Sequence, residues 1–318
     1  MRHDSDRVGN AKRNVCPDNF EGGVICINKP EGCTSHDVVG KIRRLFGTRQ
    51  VGHTGTLDPM ATGLLTVMVG RAVKASEYLT AENKSYVAGI RLGITTDTED
   101  TTGEIITRFS GELPRLSQIR EAAKQLTGDI LQTPPMYSAL KVDGKKLVDL
   151  ARRGVEIERE ARQVTVFSLE VSETDREDEF ILTVDCSKGT YIRTLCADIG
   201  KMLGCGAAMS ALMRTKNGVF TVKDAYTLEQ LEEMPFGDRL GLLCPVDRLF
   251  IQYDAVNLGD FYARLAHCGC EIYQKKLRVS YPLGTRLRLC DKNGFFALGE
   301  VMSFDDGTAI KPIKQFKI

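Results

Sequence analysis

The chain lacks an excess of charge of either sign. Lysine and arginine total 43, aspartate and glutamate 42, and the formal net charge is +1. This excludes a uniformly basic coat protein. It does not exclude a nucleic-acid binder, because balanced totals conceal segregated patches. No apolar run approaches the roughly 20 residues that a membrane span requires, so no membrane partner is expected. The first 20 residues hold no apolar segment of the kind a secretory signal needs and read as a loose tail. Neither a GxGxxG fingerprint nor a P-loop is found, and there is no internal repeat. The ten cysteines contain no CxxC pair and no paired zinc spacing, and they fit a reducing cytoplasm. Cys26, Cys33, Cys186 and Cys196 sit among apolar residues and read as small buried hydrophobes. His267-Cys268-Gly269-Cys270 is the one tight cluster, and it has no second ligand pair nearby, so no metal is expected.

What is present suffices for a folded protein of about two domains: 318 residues, of which 42% are hydrophobic. Val24 to Ile27 reads as a strand running into the turn Asn28 to Gly32. Thr34 or Ser35 can cap a helix to about Phe46, with Val38, Val39, Ile42 and Leu45 on one face and Arg43 and Arg44 off it. Further helices are expected at Arg71 to Leu79, Leu116 to Leu126, Lys145 to Arg153 and Tyr191 to Leu203. Strands are expected at Leu64 to Val69, Ser85 to Leu92, Gln163 to Val171 and Phe180 to Cys186. Without regular βαβ spacing, the pattern gives an α+β fold, a mixed and largely antiparallel sheet with surrounding helices. After Asp247 the texture changes to short strand-like pieces at Leu277 to Ser280, Arg286 to Cys290, Phe295 to Val301 and Ala309 to Ile313. This is a small C-terminal β module, mildly basic, with ten Lys/Arg against seven Asp/Glu from residue 251 on. The expected division is a tail over 1–20, a larger domain over 21–248 and the β module over 249–318.

The segment Gly52-His53-Thr54-Gly55-Thr56-Leu57-Asp58-Pro59-Met60-Ala61-Thr62-Gly63 is the most informative. Glycine and proline make it a loop, and a carboxylate on a loop fixed by neighbouring strands can be held beside a pocket. The residues alone also allow a plain Asp58-Pro59 turn with His53 as an ordinary polar side chain. A lone carboxylate identifies no reaction.

This dodecapeptide resembles the signature loop of the TruB family of tRNA pseudouridine synthases. Other segments match in the same order: Asn28 to Ser35, Lys84-Ser85-Tyr86, Asp97 to Gly103, Pro135 to Lys141, Cys186 to Thr194 and Leu203 to Ala207. The likeness covers roughly residues 22 to 248. At Leu212-Met213-Arg214 the chain carries methionine where many members have a second arginine. The last 68 or so residues match only loosely, as the PUA-like RNA-binding module such enzymes often carry.

The resemblance implies isomerisation of uridine to pseudouridine at position 55 in the T loop of tRNA. Asp58 matches the catalytic aspartate, Arg193 its charge partner, and Tyr86 the ring that stacks on the target uracil and helps remove the C5 proton. Tyr191 and Leu212 match residues lining the base pocket, and His53 matches a contact that holds the looped RNA open. Lys29 and Pro30 match residues that buttress the catalytic loop. The reaction is redox-neutral, so no cofactor is implied. The implied partner is the T arm of tRNA, with no protein partner and a monomer in the cytoplasm. Arg43, Arg44 and the Lys141 to Arg153 segment are candidate phosphate contacts. Two other readings belong beside this one: a guide-RNA-dependent synthase of the dyskerin type, disfavoured by the absence of lysine-rich tails, and a tRNA-binding chaperone without turnover.

Overall fold

The computed structural model describes residues 16, 20–138, 140–142 and 144–316. The expected N-terminal tail lies outside them apart from residues 16 and 20. Strand β1 (Gly22–Lys29) is followed by helix α1 (Ser35–Leu45), short β2 (Val51–His53), and β3 (Thr62–Gly70). Thr34 is the N-cap of α1: its hydroxyl accepts from the Asp37 amide, and Asp37 closes a capping box. Val38, Val39 and Ile42 of that helix are buried. A 3-10 turn, Arg71–Ala75, then α2 (Ser76–Thr80) lead into β4 (Lys84–Leu92). A small hairpin, β5 (Ile94–Thr96) and β6 (Ile105–Arg108), precedes α3 (Leu116–Gln125) and β7 (Gly128–Gln132). A second hairpin, β8 (Lys141–Val142) and β9 (Lys145–Lys146), opens onto α4 (Leu147–Ala151). Next come β10 (Arg162–Glu173), β11 (Glu179–Cys186), α5 (Ile192–Met202), β12 (Ala207–Asn217) and β13 (Phe220–Thr221).

These strands form a nine-stranded sheet of order β1-β3-β12-β4-β11-β10-β7, with β2 on β3 and β13 on β12. Only the β12–β3 pairing is parallel, so the sheet is mixed and largely antiparallel, as expected. Among the described residues no helix is long and apolar enough to cross a membrane. Helices α6 (Leu228–Glu233) and α7 (Phe236–Gly241) complete this part.

The C-terminal sheet holds β14 (Ala255–Asn257), β15 (Ile272–Tyr273), β16 (Arg286–Asp291), β17 (Gly294–Phe304) and β18 (Gly307–Gln315). Helices α8 (Asp260–His267) and α9 (Gln274–Leu277) lie beside it. Its own core is built on Leu287, Leu289, Phe296, Val301 and Ile310. Between the two sheets, Phe250 packs on Ala75, Tyr78, Phe295 and Phe316.

Several expectations are corrected. The loop expected over the segment that ends at Gly63 is shorter at its start, because Val51–His53 pairs with Val67–Val69. The helix over Arg71 to Leu79 is a 3-10 turn followed by a short α-helix. The helix over Lys145 to Arg153 is only Leu147–Ala151, because Lys145 and Lys146 pair back on 141–142. Leu277 to Ser280 is not a strand: Leu277 ends α9 and Arg278 adopts a left-handed φ of 55°. Cys26, Cys186 and Cys196 are buried, whereas Cys33 is half-buried in the turn before α1. His267 pairs with Asp291 at 3.0 Å, Cys268 and Cys270 are exposed, and no metal-holding cluster occurs among the described residues.

Candidate active site

The loop between β2 and β3 is held from three sides by buried polar groups. From β12, Arg214 Nε donates to the Leu64 carbonyl at 2.7 Å and Nη2 to Gly55 O at 3.2 Å. Asn217 Nδ2, three residues further on past a bulge, donates to Thr54 Oγ1 at 2.7 Å and Thr66 Oγ1 at 3.1 Å. From α1, the Ser35 hydroxyl bonds the Leu57 backbone. From β1, Lys29 Nζ donates to Pro59 O at 3.3 Å and Pro30 O at 2.9 Å, and the Gly32 amide donates to Pro59 O. Gly63 closes the loop at φ +90°, where a Cβ would stand 2.4 Å from Arg214 O. Only glycine lets β3 approach β12 there.

The loop presents Asp58. Its Oδ2 lies 3.1 Å from Arg193 Nε, and its side chain keeps 36% of its surface. Arg193, in the first turn of α5, is only 6% exposed and uses every edge of its fork. Nη1 donates to Thr98 O at 3.1 Å and Nη2 to Tyr137 O at 2.8 Å. Nη1 also lies 3.6 Å from the buried Asp100 carboxylate, which Thr98 Oγ1 and the Thr102 amide hold at 2.8 and 3.0 Å. A guanidinium between two carboxylates is thereby fixed in place and sets its charge against Asp58. Burial pushes the Asp58 carboxyl above the ordinary range. Arg193 and Lys29 oppose that rise, and Asp100 adds to it.

Asp58, Tyr86, Tyr191, Arg193 and Leu212 line one cavity of about 590 Å³. Tyr86 on β4 is the cross-strand partner of Arg214, and Leu212 is that of Ala88. Burial raises the Tyr86 phenol, so it stays neutral near pH 7. Tyr191 is the N-cap residue of α5, and Gln132 of β7 bonds both its amide and its carbonyl. Among the described residues, five cations line the cavity, Lys84, Arg162, Lys188, Arg193 and Arg214, against one carboxylate, Asp58. Such a cavity suits a polyanion whose reacting part enters an apolar slot.

His53 does not line this cavity. It sits half-buried on β2, where its Nδ1 accepts from the Gly55 amide at 3.3 Å, and burial lowers its pKa. Lys29 and exposed Pro30 also lie behind the loop, as supports. Sequence reasoning did not single out Lys84, Asp100, Arg214 or Asn217 for this site. Arg214 closes the Leu212-Met213-Arg214 stretch, noted in the sequence only for the methionine that stands where many members carry a second arginine. It is 1% exposed and braces the loop. Lys84 stands two residues before Tyr86. Its ammonium donates to Thr80 O and Glu82 O, and burial, with Arg214 close by, pulls its pKa down to about 8.

Residues 43–192 match the family described as TruB family pseudouridylate synthase, N-terminal domain, and residues 193–249 match the tRNA pseudouridylate synthase B C-terminal domain. The tRNA pseudouridine synthase B of Aromatoleum aromaticum is 49% identical over 280 residues, 86% of this chain and 90% of that one. Its counterpart from Syntrophotalea carbinolica is 46% identical over 237 residues, 74% of this chain and 77% of its own. Among solved structures, a Cbf5–Nop10–Gar1 complex contains a chain similar at TM-score 0.69 and 27% identity, covering 92% of this chain and 84% of that one. A structure of an H/ACA RNP bound to a substrate RNA containing 2′-deoxyuridine matches at TM-score 0.67 and 25% identity, over 94% of this chain and 86% of that one.

Proposed function

Because the chain belongs to the TruB family of pseudouridylate synthases, we propose that it converts uridine 55 in the T loop of tRNA to pseudouridine, with Asp58 as the essential carboxylate. The observation that carries this reading is the Asp58–Arg193 pair at 3.1 Å on the wall of a cation-lined cavity that Tyr86 shares.

The isomerisation breaks C1′–N1, rotates the base and joins C1′ to C5. The C5 proton leaves and N1 gains one, so nothing is oxidised or reduced. Asp58 serves by adding to C1′ or to C6, or by taking the C2′ proton. Each route needs the carboxylate ionised, and Arg193 favours that form against the effect of burial. A uridine stacked in the T loop does not reach Asp58, so it must flip out, at a cost of a few kcal/mol. The slot between Tyr86, Tyr191 and Leu212 receives the base. Tyr86 stacks on it and, as a neutral phenol beside Arg214, helps the C5 proton pass to water. Exposed Arg162 and Lys188 face the backbone phosphates around the flipped nucleotide. His53, next to the loop, contacts the opened RNA from outside the cavity. Arg43, Arg44, Arg152 and Arg153 are exposed and extend the phosphate track. The C-terminal module adds contacts to tRNA beyond the T loop, and the enzyme acts as a monomer.

A guide-dependent role has one observation in its favour, the likeness to chains of Cbf5 and H/ACA assemblies at 25–27% identity. The relatives at 46–49% identity are named for tRNA, and that favours the stand-alone enzyme. The test is incubation of the purified protein alone with an unmodified tRNA transcript, followed by position-resolved pseudouridine mapping. A single pseudouridine at position 55 is expected. No pseudouridine, or pseudouridine only when a guide RNA is added, overturns the proposal.

A further inference from the structure

Ser35 is the first residue of α1, next to the position where a serine ordinarily serves as a helix cap. Here Thr34 holds that duty, with Asp37 completing the box, and the Ser35 hydroxyl is turned elsewhere. It accepts from the Leu57 amide at 2.8 Å and donates to the Leu57 carbonyl at 3.0 Å. Both backbone polar groups of Leu57 are thus committed to one side chain that is 2% exposed. Leu57 immediately precedes Asp58, and its own side chain is buried. Helix α1 is a firm reference for this grip, since Val38, Val39 and Ile42 anchor it in the main core. Arg214 holds the same loop from the opposite flank at Gly55.

We propose that Ser35 is a positioning residue: its hydroxyl clasps the Leu57 peptide and so sets the Asp58 carboxylate against Arg193 and the reacting ribose. This rests on the reading of Asp58 as the essential carboxylate. The loop has three hydrogen-bonded supports from other elements near Leu57 and Pro59, and only the Ser35 clasp acts on the residue joined to Asp58 on its N-terminal side. A displacement of about 1 Å in a reacting group costs about 100-fold in rate. The clasp therefore acts on turnover and not on RNA affinity, which the cationic rim supplies.

The test uses the full-length enzyme and an unmodified tRNA transcript. Ser35→Ala is expected to lower the single-turnover rate about 10- to 100-fold, with the tRNA Kd within about threefold of the parent. Exchange of the Leu57 amide hydrogen, read by NMR, is expected to accelerate at least about tenfold as the open loop samples water. Ser35→Thr keeps the hydroxyl and is expected to recover most of the rate. A Ser35→Ala rate within twofold of the parent overturns the proposal. So does a rate loss matched by the loss in Kd, or a Ser35→Thr enzyme as slow as Ser35→Ala. If Ser35→Ala fails to fold, the parent decides: a Leu57 amide that exchanges as fast as the exposed Thr56 amide removes the clasp. Absence of pseudouridine with the parent enzyme would strike the reading of Asp58 instead, and the Leu57 exchange rates would still report on the clasp.

Discussion

At the scale of single residues, the site turns on how one arginine serves two carboxylates. Arg193 is buried between Asp58 and Asp100 and also donates to two backbone carbonyls. A lysine carries the same charge but has no planar fork, so it cannot keep all four contacts. Burial already places the Asp58 carboxyl above its ordinary range. The acid limb of the pH–rate profile should therefore lie above the midpoint of a free aspartate. Arg193→Lys should move that limb further up and lower the rate at pH 7 at least about tenfold. Single-turnover rates from acid to neutral pH test this, and an unmoved limb would contradict it. The sign for stability follows from the same shift. A folded-state pKa above the unfolded one favours the protonated form, so the contribution of Asp58 is present below its unfolded pKa. It is lost as pH rises through the folded value. Ionised Asp58 is thus a cost at neutral pH that function retains. From residues alone, Asp58 was legible as a candidate and no more, because one carboxylate on a glycine-bounded loop also describes a turn. The ordered family motifs brought in Arg193 and Tyr86. Asp100, Arg214 and Asn217 were hidden because their partners lie far along the chain, and burial of a charged side chain leaves no local pattern.

At the scale of elements, α1 was legible in its apolar face and its span, while its cap stayed open between Thr34 and Ser35 until the structure gave it to Thr34. Thr34→Ala removes the cap while leaving Ser35 in place. It is expected to lower stability by about 1 kcal/mol in urea unfolding, and a variant of unchanged midpoint would contradict the capping assignment. Strand β12 was not legible, although it is the most consequential element. Its residues Ala207 to Met213 favour a helix by propensity and lack strict alternation. It becomes a strand because β3 and β4 pair with it on both sides, a tertiary cause that no local window contains. Lys145 and Lys146 differ for a local reason: they read as the start of a helix, yet they pair with Val142 and Lys141 in a tight hairpin. Leu277 failed the other way: Leu277-Arg278-Val279-Ser280 alternates apolar and polar as a strand does, while a single helical turn ends at Leu277 instead.

At the scale of the whole molecule, the change in texture after Asp247 marked the C-terminal module, but composition said nothing of how it is attached. The seam is apolar. Phe250 meets Tyr78 edge-on at 5.2 Å and packs against Phe295 and Phe316 at 5.8 and 5.4 Å. Lys314 pairs with Glu77 at 2.8 Å at the margin. The segment gripped here, Ala75 to Tyr78, runs on through Thr80 to Lys84 and so into the cavity wall. Phe250→Ala is expected to destabilise the chain by about 3–5 kcal/mol, read as a lowered midpoint in urea unfolding. A loss below about 1 kcal/mol would mean that the two sheets are held by something other than this cluster.

The most direct measurement compares the parent enzyme with Asp58→Asn on an unmodified tRNA transcript, with enzyme in excess and pseudouridine mapped by position. The amide is nearly isosteric but is neither nucleophile nor base. The parent is predicted to form one pseudouridine at position 55. Asp58→Asn is predicted to form none, to bind the transcript within about tenfold of the parent, or ~1.4 kcal/mol, and to melt no lower at pH 7. Appreciable turnover by the folded variant would contradict the central role given to this carboxylate.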